Sequence, residues 1–332
     1  MGGEAMIQGI LIAFAAVVIC MPAFIRLVRA LGMGKKVRVE GPQTHLVKEG
    51  TPTMGGVLII GVVLAIAAVW HLLTGRFIDG STFAPLATLA LVGGLGAVDD
   101  WLNARTGEGI RVRQKLVWQI AVALAAAWQI QQTYAISALV VPFVGSVDVP
   151  AWLYIIFAAF AIVATSNGVN FTDGLDGLAG GTLVFAFGGY ALIASVAAPL
   201  AQPNLAALCA LVIGALLGFL WFNAHPAQIF MGDSGSLSLG AALAVVALIS
   251  GQALLLPLIG IIFVLEAGSD VLQIGWYRLS GGKRIFRMAP LHHHYELSGW
   301  HEQKITLRFW IVGALAAVVG VAFFLATRGQ LV

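Results

Sequence analysis

The sequence predicts an all-α integral membrane protein with about ten transmembrane helices. Of its 332 residues, 60% are hydrophobic and 10% are charged, and the mean hydropathy is +0.94, far above the level that a soluble domain needs to fill its core. Most apolar runs are close to the ~20 residues that an α-helix needs to cross the hydrocarbon layer. Strand-like alternation is absent, which excludes an outer-membrane barrel.

The apolar runs divide a single polytopic membrane domain, residues 1–332, into predicted spans. No internal repeat and no low-complexity tract interrupts this pattern. Cys20 and Cys209 both fall inside apolar runs, so neither a disulfide framework nor a cysteine-based metal site is indicated. The first run follows Glu4 and has no convincing cleavage site, which favours a retained first helix over a signal peptide. The predicted spans are residues 6–28, 54–73, 84–98, 116–134, 151–169, 178–197, 205–222, 236–250, 254–275 and 309–327.

Charge placement predicts the orientation of these spans. Of the 18 lysines and arginines, all but Arg76 and Arg328 lie in or beside the loops that follow odd-numbered spans. The positive-inside rule makes those loops cytoplasmic and puts both termini outside. Most acidic residues share this face, which is therefore basic enough to attract a polyphosphate and acidic enough to bind a divalent cation. Nucleic-acid binding is excluded because no long basic stripe with interleaved aromatic residues is present.

Two adjacent acids, Asp99 and Asp100, end the third predicted span. Neighbouring carboxylates repel each other, so we expect neutralisation by Mg²⁺, by a lysine or by protonation. One acid can then bind a metal while the other acts as a base; the alternative is that the pair only marks the water boundary. Lys115, at the start of the fourth span, is either a functional lysine or an interfacial lysine whose ammonium group reaches the headgroups.

Two glycine-rich loops carry further acids. Asp173 and Asp176 lie three residues apart between the fifth and sixth spans, where glycines permit close approach of a ligand; an ordinary capped turn is the alternative. Asp233 offers a hard oxygen ligand between the seventh and eighth spans, and Ser234 or Ser236 is expected to cap the following helix. Phe230 in the same loop either stacks on a planar base or packs against the protein.

Two more segments carry candidate functional residues. The largest cytoplasmic loop contains His292, His293 and His294, whose diverging side chains do not suit a single zinc ion, so phosphate contacts and substrate positioning are more natural roles. Lys48 precedes the second span. There Thr51 or Thr53 is expected to cap the helix, and Gly55-Gly56 is expected to allow close helix packing.

Together these motifs resemble the phospho-MurNAc-pentapeptide transferases of the polyprenyl-phosphate N-acetylhexosamine-1-phosphate transferase superfamily. The resemblance runs from about residue 35 to 310, and the histidine triplet separates this branch from relatives that use UDP-GlcNAc. It implies a bacterial cytoplasmic-membrane enzyme, usually a homodimer, with a cytoplasmic-facing active-site cleft and a Mg²⁺ cofactor. The implied reaction transfers phospho-MurNAc-pentapeptide from UDP-MurNAc-pentapeptide to undecaprenyl phosphate, which releases UMP and forms lipid I in peptidoglycan synthesis.

The resemblance also implies roles for individual residues. Asp233 is the expected Mg²⁺ ligand, Asp99 the acid that deprotonates the lipid phosphate, and Asp100 a support for the metal and phosphate region. The histidine triplet is expected near the sugar-phosphate and is counted with the catalytic groups. The expected substrate-binding residues are Lys48, Thr53, Lys115, Asn170, Asp173, Gly174, Leu175, Asp176, Asn223 and Phe230. The chain departs from the family pattern at Asn103, where many members carry lysine, and at Tyr295, where phenylalanine is commoner.

Several alternatives stay open at this level. The transfer is either a direct attack of the lipid phosphate on the β-phosphorus or a two-step route through a phosphorylated aspartate, and we favour direct attack. A sister transferase that uses UDP-GlcNAc shares the same fold and metal chemistry. An ion-coupled transporter is a rival of a different class, but it predicts acids near mid-span, where only Glu266 and Asp270 lie deep.

Overall fold

A computed structural model describes residues 2–34, 48–196 and 202–327. Lys35, Lys36, Arg38 and Arg328, which contributed to the predicted orientation, lie outside these ranges. A two-stranded antiparallel hairpin pairs β1 (Ala138–Val141) with β2 (Gly145–Asp148). The helices are α1 (Gly2–Ala30), α2 (Gly55–Thr74), α3 (Phe83–Thr106), α4 (Val112–Tyr134), α5 (Ala151–Thr172), α6 (Leu178–Val196), α7 (Pro203–Asn223), α8 (Gly232–Ile249), α9 (Leu256–Ile259), α10 (Ile261–Leu279), α11 (Leu291–Glu296) and α12 (Glu302–Thr327).

The helices confirm a predominantly helical membrane protein. In the described part of the chain, 8 helices are long and apolar enough to cross a bilayer: α1, α2, α3, α5, α6, α7, α8 and α12. The segments Ala253–Ile259 and Ile261–Leu279 form a further pair that is bent by 80°. The helix α4 occupies the fourth predicted span, but polar residues such as Gln114, Lys115 and Gln119 lower its hydropathy, and it does not meet the same criterion.

The structure corrects two predicted spans and adds a hairpin. The helix α3 continues to Thr106 and ends at Gly107, whose positive φ of 82° suits a glycine cap, so Asp99 and Asp100 lie inside the helix and not at its end. The predicted ninth span is not one straight helix, because the chain breaks at Gly260. The hairpin was not predicted, since strands of 4 residues are too short to establish an alternating pattern.

The helix α8 lies at the centre of the bundle, where α2, α3 and α5 pack against it. Gly56 of α2 and Gly96 of α3 make two of these contacts possible: a Cβ at Gly56 would overlap the backbone of Gly235, and a Cβ at Gly96 would overlap the backbone of Asp233. The expected close packing at Gly55-Gly56 is therefore confirmed. This packing fixes the first turn of α8, and with it the backbone of Asp233, against α2 and α3.

The start of α2 is joined to the loop before α8 by backbone hydrogen bonds. The Gly55 amide donates to the Phe230 carbonyl at 2.8 Å, and the Gly56 amide donates to the Met231 carbonyl at 2.8 Å. The expected threonine cap is wrong, because Met54 occupies the cap position with φ 71° and makes no side-chain cap hydrogen bond. Carbonyl groups of another loop satisfy these amides, so no side-chain cap is needed.

Candidate active site

Asp100 binds the first turn of α8 through both carboxylate oxygens. The Asp233 amide donates to Asp100 Oδ1 at 2.9 Å, and the Ser234 amide donates to Asp100 Oδ2 at 3.0 Å. Asp100 is 7% exposed. An acid of α3 therefore caps α8. The first amides of a helix have no acceptor within the helix, and the helix dipole favours a negative charge there. The expected Ser234 or Ser236 cap is wrong: both hydroxyl groups donate to backbone carbonyls of the preceding turn.

Lys115 joins the neighbouring acid, Asp99, to Asp233. The Lys115 ammonium lies 2.6 Å from Asp99 Oδ2 and 2.7 Å from Asp233 Oδ2. The other oxygen of Asp99 accepts the Ile110 amide from the loop before α4. A lysine neutralises Asp99, which was one of the expected ways, whereas Asp100 accepts backbone amides, which were not expected. Lys115 therefore faces two carboxylates, although a purely interfacial lysine was one of its possible roles.

Asn170 adds α5 to this group. Its side-chain amide donates to Asp233 Oδ1 at 2.9 Å and to Ser236 Oγ at 2.9 Å. Each oxygen of Asp233 thus has a nitrogen partner, Asn170 on one side and Lys115 on the other. We call Asp99, Lys115, Asn170 and Asp233 the carboxylate–lysine cluster. It joins α3, α4, α5 and α8, and the side chains of Asp233 and Lys115 are partly accessible, being 25% and 23% exposed.

A cavity of about 660 Å³ collects a second set of the predicted residues. Its volume is in the range of small-molecule binding sites. Lys48, Asp176 and Phe230 were predicted as substrate-binding residues, and the Lys48 ammonium lies 5.9 Å from the centre of the Phe230 ring. The residues that line the cavity are Lys48, Thr51, Asp176, His225, Pro226, Ala227, Phe230, Glu296, Leu297, Trp300, His301, Glu302 and Gln303.

Asp176 makes several polar contacts in this cavity. It accepts from the Lys48 ammonium at 2.8 Å and from the Ala227 amide at 3.1 Å, and its Oδ2 lies 2.9 Å from His225 Nδ1. Burial raises the pKa of the Asp176 carboxyl, but the hydrogen bond and charge of Lys48, followed by the other donors, outweigh it and hold the pKa below its ordinary value. Asp176 is therefore a carboxylate at neutral pH and faces a cationic lysine.

The three histidines have different surroundings. His292 is 1% exposed, and its Nδ1 lies 2.7 Å from Oε2 of the buried Glu266. The remaining ring nitrogen of His292 faces Gly174, where a Cβ would overlap it. His293 Nδ1 lies 2.7 Å from Glu296, which lines the cavity, whereas His294 Nδ1 accepts the Arg287 amide at 3.1 Å. None of the three histidines lines the cavity, and His293 contacts Glu296, which does.

Other predicted residues lie away from the cavity lining. The side-chain amide of Asn223 binds backbone groups: it accepts from the Gly177 amide at 3.0 Å and donates to the Ile229 carbonyl at 2.8 Å. Leu175 is 4% exposed and belongs to a buried apolar cluster with Leu178 and Phe309. Asp173 caps the end of α5, and the Thr53 amide donates to the Met33 carbonyl. These positions support the walls of the site.

Sequence reasoning missed three partners. Glu302, in the first turn of α12, accepts from the Asp176 amide at 2.6 Å and contacts the Lys48 ammonium. His225 lies in the loop between α7 and α8, which also carries Phe230, but it was not predicted as a site residue. Glu266 entered the sequence analysis only as one of the deep acids that a transporter would need. In the structure its carboxylate contacts His292. The apolar run of the last span begins after Glu302, so no sequence signal joined Glu302 to Lys48.

The donor groups suit a cation in two places. Asp99 and Asp233 direct one carboxylate oxygen each at the same ammonium group, and carboxylate oxygens are the donors that Mg²⁺ prefers. The cavity has a second group, Asp176, His225 and Glu302, whose ligand atoms lie within 4.8 Å of one another and could hold a metal ion. That group includes an imidazole, which suits transition metals better than Mg²⁺, so the carboxylate–lysine cluster is the better fit to Mg²⁺.

Buried acids, and a cavity that aromatic rings, three acids and one lysine line, lie together in a helical membrane bundle, an arrangement that suits a membrane-embedded transferase. The sequence profile of glycosyl transferase family 4 matches residues 82–251, and signature 1 of the phospho-N-acetylmuramoyl-pentapeptide-transferases matches residues 48–60. The chain belongs to the phospho-N-acetylmuramoyl-pentapeptide-transferase family.

Individual relatives cover nearly the whole chain. A phospho-N-acetylmuramoyl-pentapeptide-transferase of Chloroflexus aurantiacus is 45% identical, over 96% of this chain and 90% of the relative. Enzymes of the same name from Desulfotalea psychrophila and Listeria innocua are 43% and 41% identical, each over 93% of this chain and over 90% and 95% of their own lengths. The apolar helices and these relatives together identify a bacterial integral membrane protein.

Proposed function

We propose that this protein transfers phospho-MurNAc-pentapeptide from UDP-MurNAc-pentapeptide to undecaprenyl phosphate, so that UMP is released and lipid I is formed. The observation that carries the proposal is the 45% identity to an enzyme of that name over 96% of the chain. The matched region includes every residue of the carboxylate–lysine cluster and of the cavity that the structure describes. The relatives' name supports a nucleotide-linked muramyl-peptide donor, and the apolar bundle suits a lipid acceptor.

In this proposal the cavity binds the nucleotide part of the donor. Phe230 offers an aromatic face to the uracil ring, and the Asp176 carboxylate accepts hydrogen bonds from it. Lys48 fixes the position of that carboxylate through its ion pair with Asp176 at 2.8 Å. Lys48 also contacts Glu302, so one ammonium group holds two carboxylates of the pocket in place before the ligand arrives.

The carboxylate–lysine cluster is the proposed reaction centre. One oxygen of the lipid phosphate forms a bond to the β-phosphorus, and the bond from that phosphorus to the bridging oxygen breaks as UMP leaves with the oxygen. Mg²⁺ held by Asp233 would neutralise charge on the diphosphate. Lys115 is a cation within reach of the same region, and Asp100 fixes the first turn of α8 that carries Asp233. Since the second pKa of a phosphate monoester is near ~6, the acceptor is largely ionised at neutral pH and Asp99 mainly positions it.

The surroundings of Asp99 favour direct attack over a phosphorylated aspartate. Both Asp99 oxygens accept a nitrogen donor, one from Ile110 and one from Lys115, and the residue is 3% exposed. A nucleophile needs an oxygen with free access to the phosphorus. A hydroxylamine-sensitive phosphoryl group on Asp99, formed with donor in the absence of lipid acceptor, would contradict direct attack.

The proposed orientation places the cavity and the cluster on the cytoplasmic side and both termini outside. The basic residues near this end, including Arg111, Arg113, Lys304 and Arg308, support it. The homodimer implied by the family resemblance is part of the same proposal. The mass of the purified protein in detergent, corrected for bound detergent, tests the dimer, and labelling of single cysteines in intact cells tests the orientation.

The function is tested by UMP release from purified protein with undecaprenyl phosphate and Mg²⁺. Activity with UDP-MurNAc-pentapeptide and not with UDP-GlcNAc is the expected result. Activity with UDP-GlcNAc alone would assign the protein to the sister branch of transferases. Formation of lipid I, identified by mass spectrometry, separates transfer from simple hydrolysis of the donor.

A further inference from the structure

The carboxylate–lysine cluster already contains a cation of its own. The Lys115 ammonium contacts Asp99 Oδ2 at 2.6 Å and Asp233 Oδ2 at 2.7 Å, so it occupies the place between the two acids where a positive charge is most stable. The other oxygen of Asp233 accepts the Asn170 amide at 2.9 Å. A metal that binds between the Asp99 and Asp233 oxygens must therefore take the place of the ammonium group, because two cations cannot occupy the point where these oxygens converge.

Lys115 is the partner that can leave. Asn170 is also held by its second hydrogen bond, to Ser236 Oγ at 2.9 Å, and lies in the last turn of α5. Lys115 has a flexible four-carbon side chain, and 23% of that side chain is exposed. A divalent cation next to Asp233 would also repel the ammonium, whereas it would not repel the neutral amide.

We propose that Lys115 is the resident counter-ion of the metal-free site, and that a divalent cation displaces it from Asp233 so that its ammonium becomes available to a phosphate group. The inference rests on the proposed function, because that function brings both a divalent cation and a phosphate to this cluster. It adds a binding order: the metal frees the lysine, and the lysine then binds the phosphate. Metal and phosphate-bearing acceptor would bind cooperatively as a result.

Competition between Lys115 and the metal predicts that loss of the lysine raises the affinity for the metal. Replacing Lys115 by an uncharged residue should strengthen metal binding, although it removes a residue of the reaction centre. We expect Lys115→Gln to lower the Kd for Mn²⁺ about tenfold or more, because the metal no longer has to displace an ammonium group. Misfolding cannot produce a gain of affinity, so this readout separates the proposal from general damage.

The experiment measures Mn²⁺ binding by electron paramagnetic resonance with detergent-solubilised protein and no substrate. Lys115→Arg keeps the charge and can bind both carboxylates, so its Kd should equal or exceed that of the wild type. Arg113→Gln removes an exposed charge two residues away in α4 and should change the Kd less than about twofold. Asp233→Asn gives the baseline, since it should abolish the site.

A second readout follows the lysine itself. Acetylation of Lys115 by acetic anhydride, measured by mass spectrometry, should become several-fold faster when Mg²⁺ is added, while the exposed Lys283 should not respond. An unchanged Kd in Lys115→Gln, or labelling of Lys115 that Mg²⁺ does not accelerate, would overturn the proposal. Either result with a wild type that still releases UMP would leave the proposed function intact. Absence of UMP release together with the expected Mn²⁺ and labelling results would overturn the function alone.

Discussion

Asp99 and Asp100 are adjacent in sequence but have different partners. Asp99 faces Lys115, whereas Asp100 faces the amides of Asp233 and Ser234. Successive residues of a helix point about 100° apart, so one acid reaches α4 and the other reaches α8. Asp100 therefore acts through the position of Asp233, and its expected role as a support for the metal region gains a physical basis.

We predict that Asp100→Asn destabilises the protein in the absence of any ligand. The new amide nitrogen would face a backbone donor at the start of α8, which costs about 1–3 kcal/mol. Thermal unfolding in detergent measures this effect. Asp148→Asn is the comparison, because Asp148 is exposed in the hairpin and should tolerate the change with little loss of Tm. Equal Tm values for Asp100→Asn and the wild type would contradict the capping role.

The lowered pKa of Asp176 predicts a pH dependence of stability. A carboxyl group whose folded-state pKa lies below its ordinary value contributes stability that is fully present above that value and is lost as pH falls through the folded pKa. The difference in Tm between the wild type and Asp176→Asn should therefore stay constant as the pH falls from neutral towards the ordinary carboxyl pKa of 3.8. It should shrink only when the pH falls below that value. A difference that already declines between neutral pH and about pH 5 would contradict the ion pair with Lys48.

The acids of the site could be predicted from the sequence, but their partners could not. Asp99, Asp176 and Asp233 stood out because carboxylates are rare near apolar spans. Glu302 did not stand out, since its contact with Lys48 joins residues 254 positions apart and only the fold brings them together. Leu175 and Asn223 were expected to bind substrate, and the structure gives both of them contacts within the protein.

At the scale of the elements, the close contact between α3 and α8 determines the geometry of the reaction centre. Gly96 lies on the face of α3 that meets the backbone of Asp233 and Ser234. One turn further along, Asp100 caps α8 and Asp99 reaches Lys115. A shift of α3 away from α8 would therefore separate these acids from Asp233 and break the cap.

A pair of glycine substitutions tests this contact. Gly96→Ala should lower stability by about 1–3 kcal/mol and reduce UMP release, because the new Cβ overlaps α8 backbone. Gly94→Ala is the matched control in the same helix, since its Cβ would meet nothing within 4 Å and alanine has the better helix propensity. Thermal unfolding and initial rates of both variants make the comparison. Similar losses in both would show that the close approach of α3 is not the cause.

The sequence predicted the helices better than their ends. Apolar runs located α2, α6 and α7 to within about two residues, because hydropathy marks the membrane interior directly. Hydropathy failed to predict the features that depend on tertiary contacts. The cap of α8 comes from α3, the start of α2 is satisfied by the loop before α8, and the bend near Gly260 interrupts an apolar run without a polar signal.

At the scale of the whole molecule, the turn between α5 and α6 connects the two parts of the site. Asn170 binds the Asp233 carboxylate, Gly174 lies against His292, and Asp176 lines the cavity. Three residues of a seven-residue segment, 170–176, thus touch the proposed reaction centre, the histidine segment and the proposed nucleotide pocket. This continuity suits a substrate whose nucleotide is bound in one place while its diphosphate reacts in another.

The fold class could be predicted from composition alone, whereas the number of spans could not. The sequence predicts about ten, and 8 described helices, or 9 with the bent pair, meet the length and hydropathy criterion. The difference lies in α4, whose polar face includes Lys115 and Gln119, a residue that accepts a hydrogen bond from Asn167 of α5. Polar groups lower the hydropathy of α4 below the criterion, whereas α3, α5 and α8, which also carry residues of the site, still meet it.

The most direct test of the account is the rate of UMP release from UDP-MurNAc-pentapeptide for Asp233→Asn beside Asp148→Asn, an exposed aspartate of the hairpin. Both variants lose one carboxylate, but only Asp233 belongs to the carboxylate–lysine cluster. The account predicts a loss of about 10²–10³ in kcat for Asp233→Asn, as expected when several kcal/mol of charge stabilisation are removed, and a change below about twofold for Asp148→Asn. A fully active Asp233→Asn enzyme would contradict the assignment of the reaction centre.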